Sequence, residues 1–367
     1  MQIKAQRDEL LASIDAVIGA VARDKTSMPA LTHIWLKAEE NALTLMATDL
    51  EIELSATVQV EVIEGGEITV PAAKMKNIVR GLTSSALITI QGGENESLIR
   101  SGRSRFKLGS ISPEDFPKPE SFESMQTVTV CEDVIKDLVD RTHFAMADND
   151  VRYYLMGTYV ELGAEDLRFV ATNGHRLALA DAKVSSGLTE KADMILPRKA
   201  ILELRRLLDK TGEELSLSFN DKHAVFQLST ITLRTKLIDG RFPDYQRVIP
   251  QSTPLSMKTD TAMLRQVIQR VAILANKGQE TIALKLLPNE LTISSSNNQQ
   301  ESSEDVLEVE YEGHELHVGF NPAYIMEALA ACQTPSCTFH LASEDASVMI
   351  KPEDDASSQH VLMPVRI

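Results

Sequence analysis

His175 is the residue best suited to do chemistry in this 367-residue chain. It lies beside Thr172 and Arg176, and an imidazole so placed could act as a general base. Base catalysis also needs a nucleophile and an orienting carboxylate at a workable spacing. Neither a GxSxG elbow nor such a carboxylate accompanies His175. No phosphate loop, zinc signature or paired-carboxylate motif occurs elsewhere, so an enzyme reading has nothing to stand on. Cys131, Cys332 and Cys337 form no CxxC pair and no metal-ligand spacing, and their odd number argues against a disulfide framework. They read as buried thiols. The residues thus call for no metal and no cofactor, and His175 reads as either a structural or a pocket-lining side chain.

Bulk properties narrow the class. Hydrophobic residues make up 43% and charged residues 25% of the chain, ordinary for a soluble globular protein. No apolar run approaches the roughly 18–20 residues of a membrane span. The first ten residues place acids where a signal peptide would be apolar, so a cytoplasmic location is expected. The net charge of −16 argues, taken alone, against nucleic-acid binding. Net charge is silent about distribution, however.

The elements that must position these residues come in three copies. Leu43-Thr44-Leu45-Met46-Ala47-Thr48-Asp49 resembles Leu167-Arg168-Phe169-Val170-Ala171-Thr172-Asn173, and both resemble Leu291-Thr292-Ile293-Ser294-Ser295-Ser296-Asn297; from 43 to 167 and from 167 to 291 the step is 124 residues. A strand running into a helix recurs at nearly the same spacing. Ile68 to Pro71 precedes a helix over 72–82, Met194 to Pro197 one over 198–208, and Leu316 to Phe320 one over 321–331. Pro71 and Pro197 suit a first helical turn, whose N–H groups lack partners. Asp115-Phe116-Pro117 and Arg241-Phe242-Pro243 close the first two copies.

Each copy also opens on a helix. Leu10, Ile14, Val17, Ile18 and Val21 share one helical face, as do Ile135, Leu138, Val139 and Thr142, and Leu264, Val267, Ile268 and Val271. Alternating runs such as Ile52 to Val58 read as half-buried antiparallel strands. The expected fold is α+β, with three tandem domains over 1–120, 126–246 and 252–367. Proline-rich breaks lie at Pro117-Lys118-Pro119 and between Pro250 and Pro254. A period this long exceeds the roughly 20–50 residues of a solenoid repeat, and equal domains invite a closed assembly.

Charge is segregated among the predicted helices. The helix over 72–82 carries Lys74, Lys76 and Arg80 without an acid. The segment 198–210 carries Arg198, Lys199, Arg205, Arg206 and Lys210 against Glu203 and Asp209, and 262–277 carries Arg265, Arg270 and Lys277 without an acid. The other three helices are neutral to acidic. These cations are either ordinary solvated faces or a surface that meets phosphate.

Several stretches, in order along the whole chain, decide between the two. They are Thr48-Asp49-Leu50-Glu51-Ile52-Glu53, Ser101-Gly102-Arg103-Ser104-Arg105-Phe106, Asp150-Val151-Arg152-Tyr153-Tyr154-Leu155, Ala171-Thr172-Asn173-Gly174-His175-Arg176-Leu177, Asp239-Gly240-Arg241-Phe242-Pro243-Asp244-Tyr245 and Met363-Pro364-Val365-Arg366. Together they resemble the β sliding clamps of bacterial DNA polymerase III. The resemblance implies a non-catalytic processivity factor: a head-to-tail homodimeric ring with helices lining the hole and sheets outside. It would hold double-stranded DNA without reading sequence. A groove would take short peptide motifs of the replicative polymerase catalytic subunit, the clamp loader, other polymerases and repair proteins. A duplicated, specialised clamp is the competing reading of the same residues.

The resemblance also assigns sites. The apolar part of the groove would use Leu155, Leu177, Pro243, Val248, Met363, Pro364 and Val365, with Thr172, His175, Arg176, Arg247, Asn321, Tyr324 and Arg366 as polar fixers and Gly174 in a tight turn. Asp345 departs from the family by standing where an apolar lining residue is expected. DNA contacts fall on Lys25, Lys74, Arg80, Asn149, Tyr153, Tyr154, Arg198 and Lys199; the tyrosines could stack on bases, or one could be core. The dimer seam would set Arg103, Arg105, Phe106 and Leu108, with Lys74, against Ile273, Leu274, Glu301 and Glu304. Opposite charges flanking apolar residues suit a seam that holds yet opens.

Overall fold

The computed structural model describes residues 1–22, 26–93, 95–118, 125–275 and 281–366. The first third runs β1 (Gln2–Gln6), α1 (Arg7–Val17), β2 (His33–Glu39), β3 (Ala42–Thr48), β4 (Ile52–Gln59), β5 (Glu61–Glu64), β6 (Gly66–Pro71), α2 (Ala72–Gly81), β7 (Leu87–Gly92), β8 (Glu96–Ser101) and β9 (Ser104–Gly109). The second runs β10 (Gln126–Cys131), α3 (Glu132–Thr142), β11 (Gly157–Leu162), β12 (Asp166–Thr172), β13 (Arg176–Lys183), β14 (Ala192–Pro197), α4 (Arg198–Leu207), β15 (Glu214–Phe219), β16 (His223–Gln227) and β17 (Ile231–Lys236). The third runs β18 (Leu255–Asp260), α5 (Thr261–Val271), β19 (Ile282–Leu287), β20 (Glu290–Ser296), β21 (Ser302–Glu308), β22 (Glu310–Tyr311), β23 (Leu316–Phe320), α6 (Pro322–Ala331), β24 (Ser336–Leu341), β25 (Val348–Pro352) and β26 (Ser358–Leu362).

The order strand, helix, three strands therefore recurs twice within each third. Every half builds one four-stranded antiparallel module in which the three-strand meander takes its fourth strand from the other half: β6-β2-β3-β4, β1-β7-β8-β9, β14-β11-β12-β13, β10-β15-β16-β17, β23-β19-β20-β21 and β18-β24-β25-β26. The threefold repeat of the sequence is thus a sixfold repeat of modules.

By contact the chain divides into two compact units, and the division does not follow the expected domains. One unit comprises Met1–Asp133 with Leu202–Leu237, the other Val134–Ile201 with Ile238–Ile367. The second expected domain, 126–246, is shared between them. The cause is edge pairing. In the first unit β17 lies antiparallel on β4, setting Leu233 opposite Leu54 and Thr235 opposite Ile52, so two modules fuse into an eight-stranded sheet. In the second unit β26 pairs with β13, setting Val361 opposite Leu177, and a nine-stranded sheet results.

Helix faces follow the expected spacing with shorter ends. Leu10, Ile14 and Val17 are fully buried, each stabilising the fold by roughly 1.5–3 kcal/mol. α1 stops at Val17; Ile18 to Ala20 form a 3-10 turn, and Val21, expected on the helical face, is extended. Arg206 closes this end by donating to the Asp15 and Ala16 carbonyls, both at 2.7 Å, which would otherwise lack partners. α5 buries Leu264, Val267, Ile268 and Val271 as expected and ends at Val271. Lys277, expected in its last turn, lies outside the described residues. Pro71 sits at the N-cap of α2 and Pro197 closes β14, one place earlier than expected; Pro322 occupies the first turn of α6.

Candidate functional site

The β12–β13 turn shapes the site. Thr172 Oγ donates to the Arg176 carbonyl at 2.6 Å and accepts from the Gly174 N–H at 3.1 Å. Asn173 Oδ1 accepts from the N–H groups of His175 and Arg176, at 3.0 and 3.1 Å. Short polar side chains thereby replace backbone partners in a tight turn. Gly174 has φ +86°, and a Cβ there would come within 3.0 Å of Arg152 Nη1. The turn thus needs glycine both for its left-handed backbone and for the close approach. Arg152 is held in turn by Asp150, at 2.7 and 3.0 Å. That guanidinium, with the Arg152 N–H, draws the Asp150 carboxyl down to about 2.

Beside the turn opens a cavity of about 180 Å³ lined by Arg152, Leu155, Thr172, Gly174, Arg176, Leu177, Pro243, Tyr245, Val248, Val361 and Met363. Leu155, Leu177 and Val361 are buried. Tyr245 is buried too, and its hydroxyl donates to Glu161 at 2.6 Å and accepts from Arg168 at 3.0 Å. Phe242 stacks on Tyr159 with centroids 4.9 Å apart, which fixes the chain that presents Pro243. A small apolar hole with a few fixed polar atoms is what short peptide side chains dock into.

Of the expected groove residues, Leu155, Thr172, Gly174, Arg176, Leu177, Pro243, Val248 and Met363 come together in the wall. Arg176 lines it as a fixed element. Its guanidinium pairs with Glu327, donates to the Phe144 carbonyl and lies 4.3 Å from the Tyr324 ring centre. Tyr324 acts through that stacking and does not line the cavity itself. His175 is exposed and not among the residues lining this cavity; its backbone carbonyl accepts from Met363 N–H at 2.9 Å. Asn321 caps α6 by accepting from Ala323 N–H at 2.9 Å. Arg247 is exposed and paired with Asp244 at 2.8 Å. Pro364, Val365 and Arg366 continue past the cavity; Val365 N–H bonds the Gly319 carbonyl of β23 at 2.8 Å. Asp345 is exposed in the β24–β25 turn and is not among the lining residues, so it leaves this wall intact.

Sequence reasoning missed Arg152, Tyr245 and Val361. Val361 was reachable: it stands two residues before Met363 and so shares its side of an extended chain.

The expected DNA contacts divide by exposure. Lys74 and Arg80 project from α2, whose buried face is Ala72, Met75 and Val79. Lys76 is engaged with Asp15 at 2.7 Å. Arg265 is exposed on α5, whereas Arg270 pairs with Asp305 at 2.6 Å. Arg198 reaches Asp148 at 3.3 Å, and Lys199 has a partner of its own. Asn149 is exposed. Tyr153 is 52% exposed, whereas Tyr154 packs on the apolar cluster under the groove, so one tyrosine of the pair is free to stack. Lys25 lies outside the described residues.

Several of the expected seam residues fall on or beside two strands that the modules leave unjoined. The last meander strand is joined in four modules, at β4·β17 and β13·β26; among the described residues β9 pairs only with β8 and β21 only with β20. Arg103, in the turn before β9, and Arg105 are exposed and Phe106 is half-buried, but Leu108 is already buried inside its own module and is no surface residue. Along β21, Glu304 and Val306 are exposed; Glu301, just before it, is exposed and bonded to Asn297 at 2.6 Å. Ile273 is 76% exposed and Leu274 half-buried.

Known proteins resemble this chain from end to end. Models of the DNA polymerase III beta subunit match its N-terminal domain at residues 1–120, its central domain at 129–244 and its C-terminal domain at 246–366. The beta sliding clamp of Vibrio cholerae is 38% identical over 100% of both chains. The crystal structure of the Pseudomonas aeruginosa DNA polymerase III subunit beta, 37% identical, superposes with a TM-score of 0.95 over 100% of both chains. A sliding clamp from the same organism bound to griselimycin has the same TM-score, 0.95.

Proposed function

Since the chain belongs to the DNA polymerase III beta-subunit family, the bacterial sliding clamps, we propose that it is the non-catalytic processivity factor of a replicative polymerase. It works as a homodimeric ring around double-stranded DNA. Its domains span 1–120, 126–246 and 252–367. The groove beside Met363 takes short peptide motifs of the polymerase catalytic subunit, the clamp loader, other polymerases and repair proteins, one after another. The site of action is the bacterial cytoplasm, where the chromosome lies. No helix among the described residues is long and apolar enough to cross a membrane.

The observation that carries this reading is the pair of unjoined edges. An edge strand offers unpaired N–H and C=O groups and invites another strand. β9 sets Arg105 opposite Arg100, and β21 sets Glu308 opposite Glu290. Like charges facing each other destabilise a strand pair, and here the two edges carry opposite signs. The β9 edge of one copy against the β21 edge of a second copy relieves both and repeats the joint the chain makes twice internally. Unlike faces that meet head to tail form a ring when the rotation closes. Enclosure then holds the DNA, and exposed cations such as Lys74, Arg80 and Arg265 meet phosphates without reading bases.

Loaded on a nicked circle by a clamp loader, the protein should remain bound through gel filtration and fall off once the circle is linearised. Retention on linear DNA with free ends would refute enclosure.

A further inference from the structure

The joint β13·β26 that bears the groove has a twin in the first unit at β4·β17. Thr48 Oγ donates to the Ile52 carbonyl at 2.8 Å and accepts from Leu50 N–H at 3.0 Å, as Thr172 does with Arg176 and Gly174. Asp49 Oδ1 accepts from the N–H groups of Glu51 and Ile52, at 3.0 and 2.9 Å, matching Asn173. Lys236 N–H bonds the Glu51 carbonyl at 3.1 Å, as Met363 N–H bonds that of His175. Beside this second turn lies a cavity of about 140 Å³ whose walls include Thr48, Leu50, Glu53, Pro117, Arg234 and Lys236. These are the counterparts of Thr172, Gly174, Leu177, Pro243, Val361 and Met363 in the groove.

The scaffold is shared and the chemistry is changed. The apolar cross-strand pair Leu177–Val361 becomes the ion pair Glu53–Arg234, at 3.4 Å. Met363 becomes Lys236, exposed and without an ion-pair partner among the described residues. Lys118 stands at the rim, shared with Glu67 at 3.1 Å. Where the groove turn has glycine, this one has Leu50 at φ +76°, with the side chain 46% exposed at the mouth. A bulky residue in the left-handed region is strained, and such strain persists where the surroundings hold it.

We propose that this cavity is a second peptide-binding site, selective for an extended segment in which an acidic side chain adjoins a leucine-like one. The carboxylate pairs with Lys236 and Lys118, and the apolar side chain rests on Leu50 and Pro117. The proposal builds on the reading of the groove as a peptide site, because the twin inherits its backbone from the same duplicated turn.

The test uses the full-length protein with Met363→Asp and Pro364→Asp, which closes the groove, and fluorescein-labelled acetyl-Asp-Leu-Asp-Leu-amide as the probe. Anisotropy should show saturable binding below about 1 mM in this background. Lys236→Glu should weaken it about tenfold. Leu50→Gly should weaken it about fivefold while the thermal midpoint stays level or rises, a combination that a purely structural role for Leu50 does not give. No saturable binding, or binding indifferent to Lys236→Glu, overturns the proposal. Displacement of the probe by a thymidine octanucleotide at equal concentration overturns the peptide assignment in favour of phosphate. A glutamine-leucine-leucine-phenylalanine peptide on the unaltered protein reads the groove separately, so failure of either site is seen by itself.

Discussion

The joints inside the chain and its two unjoined edges use the same kind of strand differently. At β4·β17 and β13·β26 the facing strands bury Leu54, Leu233, Leu177 and Val361, and connection through the chain guarantees the partner. β9 and β21 carry Arg105, Lys107, Glu304 and Glu308 instead, with Ile273 as an exposed apolar residue. A joint made once within a chain needs no selectivity. An edge that must find one partner, reject its own kind and open again needs charge of one sign and modest apolar area. The groove belongs to the joint, so binding of partners and closure of the ring should separate under mutation.

The largest effect should come from Ile273→Asp with Leu274→Asp. Charging apolar residues at a seam should raise the dimer dissociation constant by about a thousandfold, read by sedimentation as monomer at micromolar protein. Peptide affinity, measured on the same variant, should stay within about twofold. A variant that lost both would break the distinction between joint and edge.

Next in size is the joint's response to acid. His360 of β26, opposite Ala178, is fully buried, and neither ring nitrogen has a hydrogen-bond partner among the described residues. Burial, aided by the Arg141 guanidinium, lowers its pKa from 6.5 to about 4. Between those values the unfolded chain binds the proton and the folded one does not. Stability is therefore full above pH 6.5 and is lost as pH falls toward 4, by about 3 kcal/mol in all. Urea titrations at pH 7 and pH 4.5 should show the loss. His360→Leu should flatten this part of the profile; an unchanged slope would remove His360 as its cause.

Met363→Asp with Pro364→Asp should weaken a glutamine-leucine-leucine-phenylalanine peptide by about a hundredfold in anisotropy and leave the oligomeric mass unaltered. The smallest effect belongs to the edge charges. Arg105→Glu should weaken the dimer three- to fivefold, since an exposed pair contributes about 0–1 kcal/mol. Adding Glu304→Arg should return most of that loss in the same sedimentation assay.

The repeat was legible because one turn imposes its residues. Thr48-Asp49 and Thr172-Asn173 each satisfy the same backbone N–H groups, and few side chains can do so. The third copy keeps Asn297, accepting from Glu301 N–H at 3.1 Å across a wider turn. Two helix-and-strand runs in each third were legible, but that both build the same module was not. β7, β15 and β24 share only alternation with their counterparts, and alternation marks any half-buried strand. The two joints were hidden for the same reason: β17 finds β4 far upstream in sequence, and nothing local to either strand names the other. Within the groove, Leu155, Thr172, Gly174, Arg176, Leu177, Pro243 and Met363 of the quoted motifs came together, whereas Asn321 is polar for the sake of a helix cap and His175 takes part in the turn through its backbone. Burial of Leu108 went unseen because its neighbours on β9 are charged.

Ring closure requires that the unlike edges of two copies meet. Sedimentation equilibrium of the unaltered protein tests this most directly, each copy having a mass of 40.5 kDa. A single species of two copies should hold over a wide concentration range. A single copy at micromolar concentration, or a ladder of ever larger species, would contradict it.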